Sequence, residues 1–431
     1  MRTINVGLIG FGTIGVGVVQ VLLKRKRYLQ HKNGFEISLK KICDKDLSSK
    51  RDIAVAKKLL TKDTDEVLTD PEIDIVIELI GGIHPAKEIV KKALANGKYV
   101  VTANKALLCE EGKELFDYAN SQKRCIRFEG AVGGGIPIIK ALKESLVANN
   151  IQAIYGIVNG TSNYILWRMQ VDKYDFKKAL TEAQKLGFAE RNAAFDVDGT
   201  DSAHKLALLA LLGFGKSVTL KDIYVEGITD IQPCDIEYAK ELGYCIKLLA
   251  VTKRSKDQIE LRVHPTLLED DHPLSAVRSV YNAIYVKGDC AGECLFYGKG
   301  AGRYPTTSAV VADVIDLAKS INQGVRGCDC NLYFDSGVKK IKPIQDIRSR
   351  YYIRFQALDR PGVLASIANV LANYNISISS VKQVERRSDK VVPIVMLTHE
   401  ASEKGMAGAL KKINMLSCMK HRSVAIRIES L

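Results

Sequence analysis

The chain has 431 residues, 46% of them hydrophobic and 26% charged, with a formal net charge of +14. That length suits roughly two to four globular domains, and that composition excludes a disordered or fibrous chain. The longest apolar run, near 206–212, is too short to span a bilayer, and the N-terminus lacks the basic leader and cleavage site of a signal peptide.

The basic excess is spread along the chain, as at Lys24–Arg27, Lys57–Lys58 and Lys91–Lys92. With no aromatic interleaving and no basic tail, it reads as solvated helix faces rather than a nucleic-acid footprint. Attraction of an anionic cofactor is its second use. Ten cysteines form no framework. The closest pairs, Cys328/Cys330 and Cys290/Cys294, lack a second pair or a histidine at zinc-site spacing. Free thiols in a reducing cytoplasm are the expectation.

In chain order, residues 3–9 are a β-branched apolar run ending at glycine. A helix is predicted over about 13–29, a turn at Asn33-Gly34 and a strand over 35–43. The near-continuous apolar run 73–82 suits a parallel strand buried on both faces. A helix over 85–96, a strand over 98–102, a helix over 111–120 and a strand over 126–129 follow. This alternation predicts a doubly wound parallel sheet. After Gly130 the texture changes. Helices are predicted at 137–148, 162–171, 175–186, 201–212 and 236–250, and strands at 151–158, 258–263, 280–287 and 292–297, an α+β pattern. A helix over 305–321 closes this part, and a linker is placed in 324–347. The tail then reads strand (350–357), helix (361–374), strands (376–384 and 390–398), helix (400–413) and strand (421–429), the βαββαβ order of a ferredoxin-like unit.

Gly10-Phe11-Gly12-Thr13-Ile14-Gly15 is a GxGxxG turn. Alone it is weak, because structural glycine turns are common. Here it follows an apolar strand and opens a helix within a βαβ unit, which is the Rossmann dinucleotide context. Gly10 allows the turn, Gly12 lets backbone approach a pyrophosphate, and Gly15 lets helix and strand pack. Asp44 ends the second strand, 29 residues after Gly15, against a usual gap of about 20. It would accept from ribose hydroxyls and repel a 2′-phosphate, favouring NAD. Lys45, Lys50 and Arg51 could instead hold that phosphate, so the local signal stays open between NAD and NADP.

Lys105 stands just past a parallel strand's carboxyl end, where open α/β sheets bind ligands. Asp201 and Lys205, at i and i+4, share one helix face, with Glu190, Asp196 and Asp198 upstream. Acidic groups beside a lysine suit an amino acid's ammonium group and a proton donor. The plainer reading is an N-capped helix with an exposed Asp–Lys pair. The spacing does not reproduce an EF-hand loop. His84 and His204 read as loop and helix-face residues.

Taken together, GLIGFGTIGVGV, IELIGG, VVTANKALL, FEGAVGGGIPII, GIVNGTSNYIL, GFAE…DVDGTDSAHK and GAGRYPTTSAVVAD resemble the homoserine dehydrogenase family over nearly all of residues 1–347. LDRPGVL, with residues 376–383, resembles an ACT domain. The resemblance implies interconversion of L-homoserine and L-aspartate 4-semialdehyde with NAD or NADP. It implies a Rossmann domain at 1–130 plus 305–347, a substrate and dimerisation domain at 131–304, and an ACT domain at 349–431. Lys205 would protonate the aldehyde oxygen during reduction, Lys105 would orient that oxygen near the nicotinamide, and Glu190 and Asp201 would hold the amino group and the site's water. Gly160 and Thr161 join the substrate site, and Thr102 and Gly302 the cofactor site. A monovalent cation, Na or K, would sit on Glu129 and the carbonyls of Val132, Gly134 and Ile136.

Many NADP-using members carry arginine where Cys43 stands here, which leans the expectation towards NAD or dual use. An effector such as threonine would bind near Asp359, Gly362 and Ile376, in a homodimer or homotetramer; oligomerisation without a ligand is the alternative. No nucleic acid or membrane partner is expected. Two other functions compete. Another ACT-tailed dehydrogenase, such as a phosphoglycerate dehydrogenase, would need an Arg/Glu/His set not found here. A non-catalytic NAD and amino-acid sensor would have no use for Lys105 and Lys205.

Overall fold

The computed structural model describes residues 2–324, 337–383 and 391–430. Cys328, Cys330 and part of the expected linker lie outside them. The backbone groups into two compact units, one of Met1–Ile154, His204–Ile223 and Asn282–Val338, the other of Tyr155–Ala203, Tyr224–Tyr281 and Lys339–Leu431.

In the first unit, six strands run Leu60–Thr61, Glu36–Cys43, Thr3–Ile9, Ile75–Glu78, Tyr99–Thr102, Ile126–Arg127 from edge to edge. Every pairing is parallel. The strand order reverses beside Thr3–Ile9, the switch point at which doubly wound sheets open a crevice. Ile75, Val76 and Ile77 are fully buried, as a central parallel strand requires. Helix Arg303–Asn322 supplies Val310, Val311, Val314 and Leu317 to the same core as Val6, Leu8 and Val18. Each such side chain stabilises the unit by about 1.5–3 kcal/mol.

In the second unit the sheet order is Tyr244–Ser255, Gln258–Glu269, Val424–Glu429, Arg348–Leu358, Val391–Thr398, Ile378–Gln383. The last four strands, with helices Val363–Asn373 and Glu403–Ile413, form the ferredoxin-like βαββαβ unit around a core of Ile353, Phe355, Ile367, Met396 and Met406. This tail does not stand apart. Its last strand pairs in parallel with Gln258–Glu269, Thr266 opposite Arg427 and Leu268 opposite Glu429.

Buried charge reinforces the join. Asp235, in the first turn of helix Pro233–Glu241, accepts from Arg354 at 2.6 and 3.0 Å and from the Tyr352 hydroxyl at 3.0 Å. Glu429 accepts from Arg262 and Lys253. Arg427 donates to Glu226 at 2.8 Å and to Glu403.

Several expected elements differ. Residues 236–250 split into helix Pro233–Glu241 and strand Tyr244–Ser255, with Gly243 at φ 81° between them. A strand buried on both faces has no alternation to distinguish it from a buried helix. The helix over 13–29 breaks at Arg25 into Thr13–Lys24 and Lys26–Asn33, and that over 137–148 shrinks to Ile138–Lys140 and a widened turn. Among the described residues seven cysteines are free thiols as expected, but Cys125 is disulfide-bonded. Spacing along the chain carries no signal for a bridge outside the short motifs. Among the described residues no helix is long and apolar enough to cross a membrane.

Removing one partner of a buried ion pair strands the other charge. Asp235→Ala is expected to lower stability by about 3–5 kcal/mol in urea unfolding, and the double variant Asp235→Ala/Arg354→Leu by less. Equal losses in the two would show that the charge on Arg354 is not what costs the stability.

Candidate active site

The first strand delivers the chain to Gly10, whose φ of 103° belongs to the left-handed side and whose Cβ would lie 2.6 Å from the Leu79 backbone. A Cβ on Gly15 would stand 2.1 Å from the Gly10 carbonyl oxygen, so only glycine lets the helix pack there. Gly12 faces open space and begins helix Thr13–Lys24, which no side chain caps. A helix N-terminus of this kind, with Thr13 and Ile14 in its first turn, fits a pyrophosphate.

Asp44 closes the loop from the second strand. Its carboxylate accepts the Phe11 N–H and, at 2.8 Å, the Asp46 N–H. Arg51 lies over the Phe11 ring at 4.7 Å, donates to the Phe11 carbonyl at 2.9 Å and stands 3.9 Å from Asp44. An acid suited to a ribose and a guanidinium suited to a phosphate therefore share this corner.

Further along the strand ends, the Thr102 hydroxyl donates to Glu78 at 2.6 Å and accepts from the Asn104 N–H at 3.0 Å. That side chain is committed within the protein. Glu78, missed in the sequence, is fully buried, and burial raises its carboxyl above the usual range. Its apolar neighbours concealed it in a strand. Asn104 caps helix Lys105–Ser121 by accepting the Leu107 N–H, and so sets half-buried Lys105 at the sheet's carboxyl edge. Gly302, at φ 110°, begins helix Arg303–Asn322.

A second acidic centre lies at Glu129. Its two oxygens accept the Ile139 and Lys140 N–H groups, each at 2.9 Å. Gly133 and Gly134 turn the chain at φ 70° and 52°, bringing Val132, Gly134 and Ile136 into the same bend. The Ile136 carbonyl accepts from the Ile138 N–H. Burial raises the Glu129 carboxyl above its usual range, and a carboxylate with backbone carbonyls is the hard-oxygen donor type that a monovalent cation would take. Asp313, also missed, accepts the Glu129 N–H at 2.8 Å. Burial, with the Glu129 charge beside it, pushes Asp313 up to about 7.

In the second unit, Asn159 caps helix Gly160–Val171 by accepting the Ser162 N–H at 2.7 Å. Its amide nitrogen donates to Asp196 and Asp201, both at 2.8 Å. The Thr161 hydroxyl donates to the Phe188 carbonyl at 2.7 Å, fastening the segment that carries exposed Glu190. Asp201 stands in the first turn of helix Thr200–Phe214, and Lys205, one turn later on the same helix and counted with the first unit, is only 7% exposed. The plain alternative of an exposed Asp–Lys pair fails on that burial.

Two family models match the chain over most of its first 315 residues. "Homoserine dehydrogenase, NAD binding domain" matches residues 10–129 and "Homoserine dehydrogenase" residues 137–315. The chain belongs to the homoserine dehydrogenase family. A third model, "ACT domain", matches residues 351–416. A homoserine dehydrogenase of Neisseria gonorrhoeae is 43% identical over the whole of both chains. A crystal structure of one from Thiobacillus denitrificans, 43% identical, superposes with a TM-score of 0.93 over 100% of this chain and 99% of that one. A hyperthermophilic archaeal homoserine dehydrogenase mutant in complex with NADPH, 26% identical, has a TM-score of 0.62 over 74% of this chain and 98% of that one. As a family member the chain is an NAD(P)-dependent oxidoreductase with a C-terminal ACT domain.

A carboxyl raised to about 7 in the folded state is neutral below that pH, so its contribution to stability is complete below about pH 4 and is lost as the pH rises through 7. Asp313→Asn stays neutral throughout and keeps an acceptor for the Glu129 N–H. Unfolding at pH 5.5 and 8.5 is expected to show the variant gaining about 2 kcal/mol on wild type across that interval. Parallel pH curves would mean that Asp313 does not titrate in this range.

Proposed function

We propose that Asp201 and Lys205 divide the substrate's two ends between them: Asp201, with Glu190, holds the ammonium group, and Lys205 serves the reacting oxygen. The cofactor, held at Gly10–Gly15 with Asp44, supplies or accepts the hydride. In the direction of reduction, negative charge develops on the aldehyde oxygen. The Lys205 ammonium stabilises that charge and delivers the proton that completes the hydroxyl of L-homoserine. In the direction of oxidation, Lys205 receives the same proton as L-aspartate 4-semialdehyde forms. Lys105 orients the oxygen, and Gly160 and Thr161 shape the pocket through backbone. The observation that carries this reading is the burial of Lys205 one helical turn after Asp201. A lysine on a solvated face would have no reason to be desolvated.

The division of labour follows the sequence expectation: residues 1–130 and 305–347 for the cofactor, 131–304 for the substrate and dimerisation, 349–431 for regulation. The cofactor is NAD or both NAD and NADP, since Asp44 holds the second strand's end and Cys43 stands beside it, while Arg51 gives a 2′-phosphate a partner. Na or K would be held by Glu129 and the carbonyls of Val132, Gly134 and Ile136, offsetting the buried charge. The enzyme would act in the cytoplasm, in threonine, methionine and isoleucine biosynthesis. Threonine is the effector that fits that place, at Asp359, Gly362 and Ile376 of paired ACT domains. Exposed Leu295 and Tyr297 on strand Gly292–Lys299 support self-association as a homodimer or homotetramer.

The direct test follows nicotinamide absorbance with L-aspartate 4-semialdehyde and either NADH or NADPH. Wild type should turn over and Lys205→Ala should lose about 10²-fold or more in kcat. No wild-type turnover with either cofactor would refute the reading, and an unimpaired Lys205→Ala would remove the lysine from the mechanism.

A further inference from the structure

We infer that Asn159 is a positioning residue for the ammonium site, holding the Asp196 and Asp201 carboxylates together through one side-chain amide. The inference rests on the substrate reading of Asp201 given above.

Asn159 is 5% exposed and makes three short hydrogen bonds in three directions. Its oxygen accepts the Ser162 N–H at 2.7 Å, and its nitrogen donates to Asp196 and to Asp201 at 2.8 Å each. These partners fix which end of the amide is oxygen and which is nitrogen, because a backbone donor needs an acceptor and two carboxylates need donors. Two carboxylates brought close repel each other. A lysine or arginine between them would hold them but cancel their charge. A primary amide has two N–H groups and no charge, so it holds the pair without neutralising it. That is what a site for a substrate cation requires.

The surroundings keep Asn159 in place. The Ser162 hydroxyl donates to the Asp196 carbonyl at 2.6 Å, and the Thr161 hydroxyl donates to the Phe188 carbonyl at 2.7 Å. The first turn of helix Gly160–Val171 is thus tied to both segments that flank the carboxylates, and the amide of Asn159 reaches the carboxylates themselves.

The competing role is helix capping alone, and one substitution separates the two. Aspartate caps helices as well as asparagine and has nearly the same shape, so Asn159→Asp keeps the bond to Ser162. It replaces both donors with an acceptor facing two carboxylates. Asn159→Ala removes cap and donors together. Steady-state kinetics with L-homoserine and cofactor affinity by NADH fluorescence are measured for Asn159→Asp, Asn159→Ala and Asp201→Asn. The expected result is a KM for L-homoserine raised by about 10-fold or more in Asn159→Asp, beyond the rise in Asn159→Ala, with NADH affinity unchanged in both.

A KM in Asn159→Asp within about 2-fold of wild type, or a smaller rise than in Asn159→Ala, would overturn the inference in favour of capping. Should Asn159→Asp not fold, Asn159→Ala decides: a raised KM with intact NADH binding supports the positioning role, and an unchanged KM overturns it. With Asp201→Asn impaired and Asn159→Asp silent, only the role of Asn159 falls. A silent Asp201→Asn would overturn the substrate reading and this inference with it.

Discussion

One turn of helix separates Asp201 from Lys205, and the chemistry proposed for this enzyme depends on that spacing. Side chains at i and i+4 stand about 5–6 Å apart at their Cβ atoms, on one face and on one rigid element. An acceptor for an ammonium group and a donor for an oxygen are then held at a fixed separation that no loop motion can alter. The geometry also explains why a lysine can be buried here. Lys205 is desolvated one turn after the Asp201 carboxylate, so its charge is not isolated. Placing the lysine by a helix rather than a loop gives the orientation that proton transfer in step with hydride transfer requires.

The tail is bound to the second unit by the same devices that hold a single domain together. Strand Val424–Glu429 extends the sheet in parallel beside Gln258–Glu269, and Asp235, Glu429 and Arg427 bury charge across the join. Ion pairs in that setting contribute less to net stability than to register, because each misplaced partner would be left buried and unpaired. Helix Pro233–Glu241, which carries Asp235, packs against Gly160–Val171, the helix that Asn159 caps. The ACT sheet and the carboxylates of the substrate site are therefore joined by successive packed elements of one unit. An effector that shifted the ACT strands would act on a rigid neighbour rather than through a linker.

Much of this was legible in the residues themselves. The glycine turn, the parallel strands and the ferredoxin-like order of the tail each have a local signature, because turn geometry and burial on both faces constrain nearby residues. The Asp201–Lys205 pair was equally visible as a helical spacing, though not its burial. What escaped was non-local. Residues 244–250 looked helical because a doubly buried strand shows no alternation. The role of Asn159 left no local trace, since its two partners lie 37 and 42 residues further along the chain. Asp313 sat in a helix without any sign that Glu129, 184 residues away, would meet it. The attachment of the tail was invisible for the same reason: Arg354 and Asp235 come together only in the folded sheet.

The most direct measurement is a crystal structure of the enzyme with L-homoserine and an oxidised nicotinamide cofactor. The account predicts the substrate nitrogen within about 3 Å of an Asp201 carboxylate oxygen and the hydroxyl oxygen within about 3 Å of Lys205 Nζ. A substrate bound with its nitrogen away from Asp201, or with Lys205 turned from the hydroxyl, would contradict it.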